Sequence, residues 1–137
     1  MRRVLLDTDV LSPILKGRNP TVIKRASEYA DEHGRFTYAA VSIMFGLHYK
    51  DAQRQLRNAE ISFNENEVVV PNLDDYKAAG RIRGRARRKG DQLTSDDCLI
   101  GAVAQRLGLP VATGNIKRFH AMKEAGLQIE LDNWLEP

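Results

Sequence analysis

Residues 4–12 constrain the fold of this 137-residue chain more than any other stretch. Three aliphatic residues run directly into Asp7, and polar and apolar residues mix after it. A short apolar run bounded by polar residues is typical of a strand buried on both faces, as in a parallel sheet. Because open α/β sheets bind ligands outside the carboxyl ends of their strands, Asp7 is predicted to stand at a ligand-binding edge, with Asp9 just beyond it. In the alternative interpretation, Asp7 or Asp9 only forms an Asx-turn or caps a helix that starts near Leu11.

Length and composition indicate one ordinary globular domain, predicted to span residues 1–137. Hydrophobic residues make up 42% of the chain and charged residues 28%, which excludes a disordered composition. A single cysteine, Cys98, excludes an internal disulfide and favours the reducing cytoplasm. No apolar run is long enough to cross a bilayer, so no membrane association is expected. The net charge of +3 gives a mild preference for polyanions.

Strand and helix patterns alternate along the chain. The predicted strands are the first apolar run and residues 35–41, 68–70, 109–113 and 128–131. The predicted helices are residues 12–16, 20–33, 42–58, 74–89, 96–107 and 115–123. Tyr76, Ala79, Ile82 and Ala86 are expected to form the apolar stripe of the fourth helix. This alternation predicts an α/β fold with a largely parallel central sheet flanked by helices.

A second acidic pair, Asp96 and Asp97, stands at the start of a predicted helix. Acidic residues are favoured there because the helix dipole stabilises negative charge, and Asp96 or Ser95 is expected to serve as the cap. Asp97 opens an otherwise apolar segment, which makes it the stronger candidate for a functional carboxylate.

Five short motifs together resemble the PIN-domain ribonucleases of the VapC toxin type. They are Leu-Asp-Thr-Asp-Val-Leu-Ser at residues 6–12, Asp-Cys-Leu-Ile-Gly-Ala at 97–102, Leu-Pro-Val-Ala-Thr-Gly-Asn at 109–115, Phe119, and Leu-Asp-Asn-Trp at 131–134. Each motif is short, but their order and spacing extend the resemblance from residue 5 to residue 134.

The resemblance implies a single PIN-like domain that cleaves RNA with Mg²⁺, or with Mn²⁺, held by Asp7 and Asp97. Thr8 and Asn115 would be supporting polar groups that orient the phosphate or the metal ligands, and Asp9 and Asp96 are further candidates for a supporting role. This role agrees with physical expectation, because clustered carboxylates are tolerated when a cation lies among them, and magnesium prefers hard oxygen ligands. The resemblance also implies a homodimer and an inhibitory antitoxin protein.

Two positions depart from the family pattern. Phe45 stands where similar toxins carry a glutamate, and a fourth acidic residue, often near Asn115 or Arg118, is missing. Asp9, where the family usually has asparagine, would replace part of the lost charge.

The leading hypothesis is a magnesium-dependent endoribonuclease toxin. The alternative is a relative with impaired catalysis that binds an antitoxin or RNA without cleaving it.

Residues 81–89 form the strongest charge cluster, with six basic side chains in nine positions. In a helix, Arg81, Arg85 and Arg88 would share one stripe. This stripe is predicted to bind RNA phosphates, although a solvated helix face or an acidic protein partner would use the same charges.

Other kinds of chemistry have weaker support. Cys98, His33, His48 and His120 lack the spacing of zinc ligands. Cys98 lies in an apolar helical segment, so a core position is expected for it instead of a nucleophilic one.

Overall fold

A computed structural model of the protein describes residues 1–42, 57, 61 and 64–136. The strands are β1 (Leu5–Leu6), β2 (Thr37–Ala39), β3 (Glu67–Val69), β4 (Val111–Thr113) and β5 (Leu131–Asn133). The helices are α1 (Thr8–Lys16), α2 (Pro20–His33), α3 (Leu73–Arg88), α4 (Ser95–Leu107) and α5 (Ile116–Glu124), with a 3₁₀ turn at Ala40–Ser42. The predicted helix at residues 42–58 lies almost entirely outside the described residues, as do Phe45 and His48.

The apolar run that opens the chain becomes the central strand of a parallel sheet. The strand order is β3-β2-β1-β4-β5, and every pairing is parallel. On one side Leu6 is in register with Tyr38, and on the other Leu5 is in register with Val111. Leu5 and Leu6 are both fully buried, as expected for a parallel sheet covered on both faces. The predicted α/β fold with a parallel sheet is therefore confirmed.

The two leucines of β1 belong to different halves of the core, because successive side chains of a strand point to opposite faces. Leu5 packs into a cluster with the apolar sides of α3, α4 and α5. Leu6 packs with residues of α1 and α2 and with Trp134, which follows β5. Helices therefore flank both faces, and only the strand ends remain open for a site.

The boundaries of α2 follow from the residue types at its ends. The Asn19 side chain accepts a hydrogen bond from the Val22 N–H at 3.3 Å, and Pro20 takes the first helical position. Gly34 ends the helix with a φ of 82°, a left-handed value that glycine adopts at low cost. The predicted helix is confirmed here.

The helix predicted at residues 12–16 begins earlier than expected. α1 starts at Thr8, directly after β1, and Pro13 lies inside it. The turn forms because the Asp7 carbonyl accepts hydrogen bonds from the N–H groups of Val10 and Leu11, at 3.1 and 2.9 Å. Asp7 therefore ends the strand and caps the helix at the same position, with no loop between them.

Three further predictions need correction. The last strand is Leu131–Asn133 and not residues 128–131, because β5 pairs with β4 from Leu131 onward. Tyr76 is 54% exposed, since the buried stripe of α3 continues from Ala79 back to Asp75. The cap of α4 is Thr94, so Asp96 lies in the first turn of the helix and is not its cap.

Candidate active site

Asp7 stands at the carboxyl end of the central strand. Its backbone N–H donates to the Ala112 carbonyl at 2.9 Å, which continues the pairing between β1 and β4 by one residue. The backbone of Asp7 is extended (φ −78°, ψ 163°), and the residue is fully buried. A buried charged residue needs partners, because burial of an unpaired carboxylate is costly.

The first partner of the Asp7 carboxylate comes from the neighbouring strand. Thr113 Oγ1 donates a hydrogen bond to Asp7 Oδ2 at 2.8 Å, and the Asn115 backbone N–H donates to Thr113 Oγ1 at 2.9 Å. Thr113 is itself fully buried. This short chain of hydrogen bonds fixes the orientation of Asp7 from the end of β4.

Burial raises the pKa of Asp7 to about 6, from an ordinary value of 3.8. The hydrogen bond from Thr113 acts against this effect, and the charges of Asp9 and Asp97 add to it. The Asp7 carboxylate is therefore buried and close to two other carboxylates. A positive charge bound beside it would stabilise its ionised form.

Asp97 reaches the same region from the start of α4. Its backbone N–H is capped by Thr94 Oγ1 at 3.2 Å, and its side chain is 10% exposed. The N-terminus of a helix favours a carboxylate at this position because of the helix dipole. The apolar residues that follow Asp97 are buried in the core and hold this end of α4 against the sheet.

Arg118, in the first turn of α5, connects the acidic residues. Its Nη1 lies 3.1 Å from Asp97 Oδ2. Its Nη2 donates to Asp9 Oδ2 at 3.1 Å and lies 3.8 Å from Asp7 Oδ2. One guanidinium therefore contacts three carboxylates. We call these three residues, Asp7, Asp9 and Asp97, the acidic cluster.

Several polar atoms of the acidic cluster and of Arg118 have no hydrogen-bond partner within the part of the chain that the structure describes. They are Asp7 Oδ1, Asp97 Oδ2 and Arg118 Nε, and all three are buried. The approach of Arg118 to Asp97 Oδ2 is thus an ion pair without hydrogen-bond alignment. Buried polar atoms are normally paired, so these atoms point to a missing partner.

The donor chemistry of the acidic cluster fits a hard divalent cation. Magnesium usually takes one or two carboxylates and completes its shell with water and substrate phosphate, and Asp7 with Asp97 supply such a pair. Three carboxylates against one guanidinium leave an excess of two negative charges. Within residues 1–42 and 64–136, however, no group of three acidic, histidine or cysteine side chains is arranged to coordinate a metal ion.

The four predicted supporting residues differ in their contacts. Asp9 joins the acidic cluster through Arg118. Asn115 caps α5, with its Oδ1 accepting from the Arg118 N–H at 3.1 Å. Thr8 is the first residue of α1, and Asp96 is exposed and belongs to no ion pair with described residues.

Sequence reasoning missed two contributors, Thr113 and the guanidinium of Arg118. Thr113 ends β4 beside the end of β1, so a correct strand register would have identified it. The sequence draws attention to Arg118 only because similar toxins often carry an acidic residue near this position. No local pattern predicts that its side chain returns to Asp9, 109 residues earlier in the chain.

The predicted basic stripe lies on α3 and is exposed, but its members differ in their contacts. Arg85 Nη1 donates to the Ala125 carbonyl at 3.5 Å, so this side chain helps to attach α3 to the end of α5. Arg81 and Arg88 make no hydrogen bond or ion pair to other described residues. Beside the same helix, a cavity of about 430 Å³ is lined by Arg83, Arg87 and residues 91–95, including the Thr94 cap of Asp97.

Cys98 is a buried thiol adjacent to Asp97. Burial raises its pKa to about 11, so the sulfur is protonated at neutral pH and is not a nucleophile.

None of the helices in the described ranges has the length and apolar character required to cross a membrane.

Comparison with known protein families identifies the class of this chain. The PIN domain profile matches residues 4–125. The chain therefore belongs to the PIN domain family, as the sequence motifs indicated. A comparison with curated protein sequences finds no match.

Several solved structures share the fold of this chain. DNA-bound VapBC from Salmonella typhimurium contains a chain of 22% identity, with a TM-score of 0.76 over 98% of this chain and 99% of that one. FitAcB from Neisseria gonorrhoeae contains one of 19% identity, with a TM-score of 0.76 over 98% and 99%. VapC20 from Mycobacterium tuberculosis, a sarcin-ricin loop cleaving toxin, is 12% identical, with a TM-score of 0.64 over 91% and 96%. At these identities the similarity establishes the fold.

Proposed function

We propose that this protein is a metal-dependent endoribonuclease of the VapC type, the toxin of a toxin–antitoxin pair, formed by a single domain over residues 1–137. The observation that carries the proposal is the convergence of Asp7 and Asp97 at the carboxyl edge of the sheet. Both carboxylates are buried and lie within 4 Å of one guanidinium. This acidic centre lies at the carboxyl edge of the strands, which is where open α/β sheets bind their ligands.

Asp7 and Asp97 would hold Mg²⁺ or Mn²⁺. When bound, such an ion activates water for attack on a phosphodiester and offsets the charge that develops on the phosphate. Thr113 keeps one oxygen of Asp7 in a fixed direction and leaves Oδ1 for a ligand. Thr94 accepts a hydrogen bond from the Asp97 backbone N–H and so fixes the backbone of Asp97 at the start of α4.

Supporting roles are proposed for Asp9, Asn115, Thr8 and Asp96. Asp9 has a side chain that is 40% exposed, more than those of Asp7 and Asp97, and would replace part of the charge of the missing family glutamate. Asn115 would act indirectly, by capping α5 and so placing Arg118. Thr8 and Asp96 lie beside Asp7 and Asp97 in sequence and would contact the phosphate only at the rim of the site.

RNA is the proposed substrate, and α3 is its proposed binding surface through Arg81 and Arg88, with a smaller contribution from Arg85. The cavity lined by Arg83 and Arg87 continues this positive surface toward Thr94, and so toward Asp97. Most of the affinity would come from phosphate contacts, which do not specify sequence.

An antitoxin partner and a homodimer are also proposed. Their support is the fold shared with a chain of VapBC and with a chain of a solved toxin–antitoxin complex. Action in the cytoplasm is proposed because Cys98 is a free, buried thiol and the chain has no other cysteine.

The test is cleavage of a structured RNA by the wild-type protein, Asp97→Asn and Phe45→Glu, each with and without Mg²⁺. We expect weak cleavage that requires the metal, because misplacement of an attacking water can cost about a hundredfold in rate. Asp97→Asn should abolish this cleavage, and Phe45→Glu should increase it by restoring the family carboxylate. Wild-type cleavage that is equally fast in EDTA, or unchanged in Asp97→Asn, would refute the proposal.

A second candidate is a PIN-fold protein that binds an antitoxin or RNA without cleaving it. The observation in its favour is Arg118, whose guanidinium already neutralises part of the acidic cluster, together with Phe45 in place of the family glutamate. This candidate predicts RNA binding with no cleavage at any magnesium concentration. Phe45→Glu that folds, binds magnesium and still cleaves no faster than Asp97→Asn would support it.

A further inference from the structure

Arg118 occupies the position at which the acidic cluster would receive a cation. Its two terminal nitrogens lie 3.1 to 3.8 Å from oxygens of Asp7, Asp9 and Asp97. These distances are typical of ion pairs, and the three carboxylates have no second basic partner among the described residues. The guanidinium is thus the counter-charge that stabilises this cluster in the metal-free protein.

Hydrogen bonds of the backbone hold Arg118 next to the carboxylates. Its N–H is bound by the Asn115 cap, and Asn115 is in turn tied to Thr113, the residue that orients Asp7. The Arg118 side chain is only 28% exposed, and its Nε is buried. The arrangement is therefore built into the junction of β4 and α5, unlike an exposed ion pair between two flexible side chains.

The guanidinium contacts the more exposed Asp9 by a hydrogen bond, but it contacts Asp97 and Asp7 without hydrogen bonds. Two buried carboxylate oxygens remain unpartnered beside it. A guanidinium has five N–H donors fixed in one plane, and among the described residues only one of those of Arg118 donates to these carboxylates in hydrogen-bond geometry. A small spherical cation would reach the remaining oxygens better.

We infer that Arg118 is a built-in counter-cation that competes with a divalent metal ion for Asp7 and Asp97. In the metal-free protein it holds the three carboxylates together. When a metal ion binds, the guanidinium withdraws toward Asp9 and the solvent side. The inference rests on the proposed metal site but not on RNA cleavage.

Competition of this kind makes two measurable properties move in opposite directions, because linkage between two ligands of one site is reciprocal. Removal of the guanidinium should increase the affinity for metal and decrease the stability of the metal-free fold. A guanidinium that was only structural would decrease stability with no gain in metal affinity.

The experiment compares the full-length wild-type protein with Arg118→Gln and Arg118→Lys. Mn²⁺ binding is measured by calorimetry and by the electron paramagnetic resonance signal of free Mn²⁺, and thermal unfolding is followed in EDTA and in excess Mn²⁺. We expect Arg118→Gln to bind Mn²⁺ on the order of tenfold more tightly, the scale of a partly buried ion pair. We also expect it to unfold at a lower temperature in EDTA and to recover most of that loss in Mn²⁺.

Lys117→Gln is the matched control, because Lys117 is the exposed neighbour in the same turn of α5 and the charge change is identical. It should leave both Mn²⁺ affinity and unfolding temperature near wild-type values. Arg118→Lys keeps the charge and loses the fork, so it should show an intermediate affinity, and it serves as the test if Arg118→Gln does not fold. Equal Mn²⁺ affinity in the wild type and in the folded Arg118 variants would overturn the inference.

These outcomes are separate from those of the proposed function. If no variant cleaves RNA but Arg118→Gln gains Mn²⁺ affinity, the ribonuclease proposal fails and the inference stands. If the wild type cleaves RNA and Arg118 variants bind Mn²⁺ no more tightly, the inference fails and the ribonuclease proposal stands.

Discussion

Asp7 links β1 to α1 through its backbone, and its carboxylate carries a charge that burial destabilises. It ends the central strand, its carbonyl begins α1, and its carboxylate is buried beside two others. A hydrophobic or amide side chain would cost the fold less at this position. Retention of a carboxylate there is the behaviour expected of a functional site, where perturbed pKa values concentrate.

The pKa of Asp7 predicts a specific dependence of stability on pH. Because its folded-state pKa of about 6 lies above the ordinary 3.8, Asp7 contributes most to stability below pH 3.8. This contribution is lost as the pH rises through about 6. We therefore expect wild-type stability, relative to Asp7→Asn, to fall by about 2 kcal/mol between pH 4 and pH 7.

The measurement is chemical denaturation of both proteins in EDTA across this range. The other titratable groups are common to both proteins, so their contributions cancel in the difference. Parallel stability curves for the wild type and Asp7→Asn would contradict the predicted pKa shift.

At the scale of the elements, α3 and α4 are joined by a partly buried ion pair. The Arg106 guanidinium donates to both oxygens of Asp75, at 2.9 Å from Nε to Oδ1 and from Nη2 to Oδ2. Asp75 also accepts from the Asn72 N–H in the capping box that begins α3. Burial raises the pKa of Asp75, but the hydrogen bonds from Arg106 and Asn72 outweigh it and lower the pKa below its ordinary value.

The two partners of this ion pair should differ in the cost of their removal. Arg106→Gln leaves a carboxylate that is only 2% exposed without its counter-charge, so it should cost about 3 kcal/mol of unfolding free energy. Asp75→Asn leaves a cation that is 36% exposed and can turn to water, so about 1 kcal/mol is expected. The wild-type advantage over Asp75→Asn should disappear as the pH falls through the lowered pKa.

Denaturant unfolding of both variants at neutral pH checks this asymmetry. Arg81→Gln, an exposed change on the same helix, should shift stability by no more than about 0.5 kcal/mol. A larger cost for Asp75→Asn than for Arg106→Gln would reverse the argument.

Local sequence patterns predicted the elements whose causes are local. The apolar run before Asp7 predicted a buried strand, and Asn19-Pro20 with Gly34 fixed α2. The pattern of α3 misplaces Tyr76 because the burial of its neighbour has a distant cause: Asp75 is buried by Arg106, 31 residues away. Arg118 was missed for the same reason, since its role depends on carboxylates from β1, α1 and α4.

At the scale of the whole molecule, the exposed arginines of α3 are proposed to bind RNA. The sequence pattern groups Arg85 with Arg81 and Arg88, but the Arg85 guanidinium contacts the Ala125 carbonyl at the end of α5. A double variant, Arg81→Gln with Arg88→Gln, is therefore the sharper test. It should weaken RNA binding without loss of stability.

The salt dependence of this binding identifies its origin. Removal of one phosphate-binding arginine should reduce the slope of log K against log [salt] by about 0.7 for single-stranded RNA, so the slope of the double variant should decrease by about 1.4. Fluorescence anisotropy over a range of salt concentrations measures the slope, and Lys24→Gln with Lys16→Gln on the opposite face of the sheet provides the same charge change as a control. An unchanged slope in the double variant would show that this surface serves a protein partner or only solvent.

The position of β1 at the centre of the sheet has a consequence for the order in which the protein is made. Asp7 is synthesised before Thr113, which orients it and follows 106 residues later in the chain. Asp97 and Arg118 also come from the second half of the chain, and β1 has no partner on its β4 side until then. A nascent chain therefore carries an incomplete centre from the synthesis of β1 until that of β4 and α5. For the proposed ribonuclease, translation itself would delay activity until these later elements have been made.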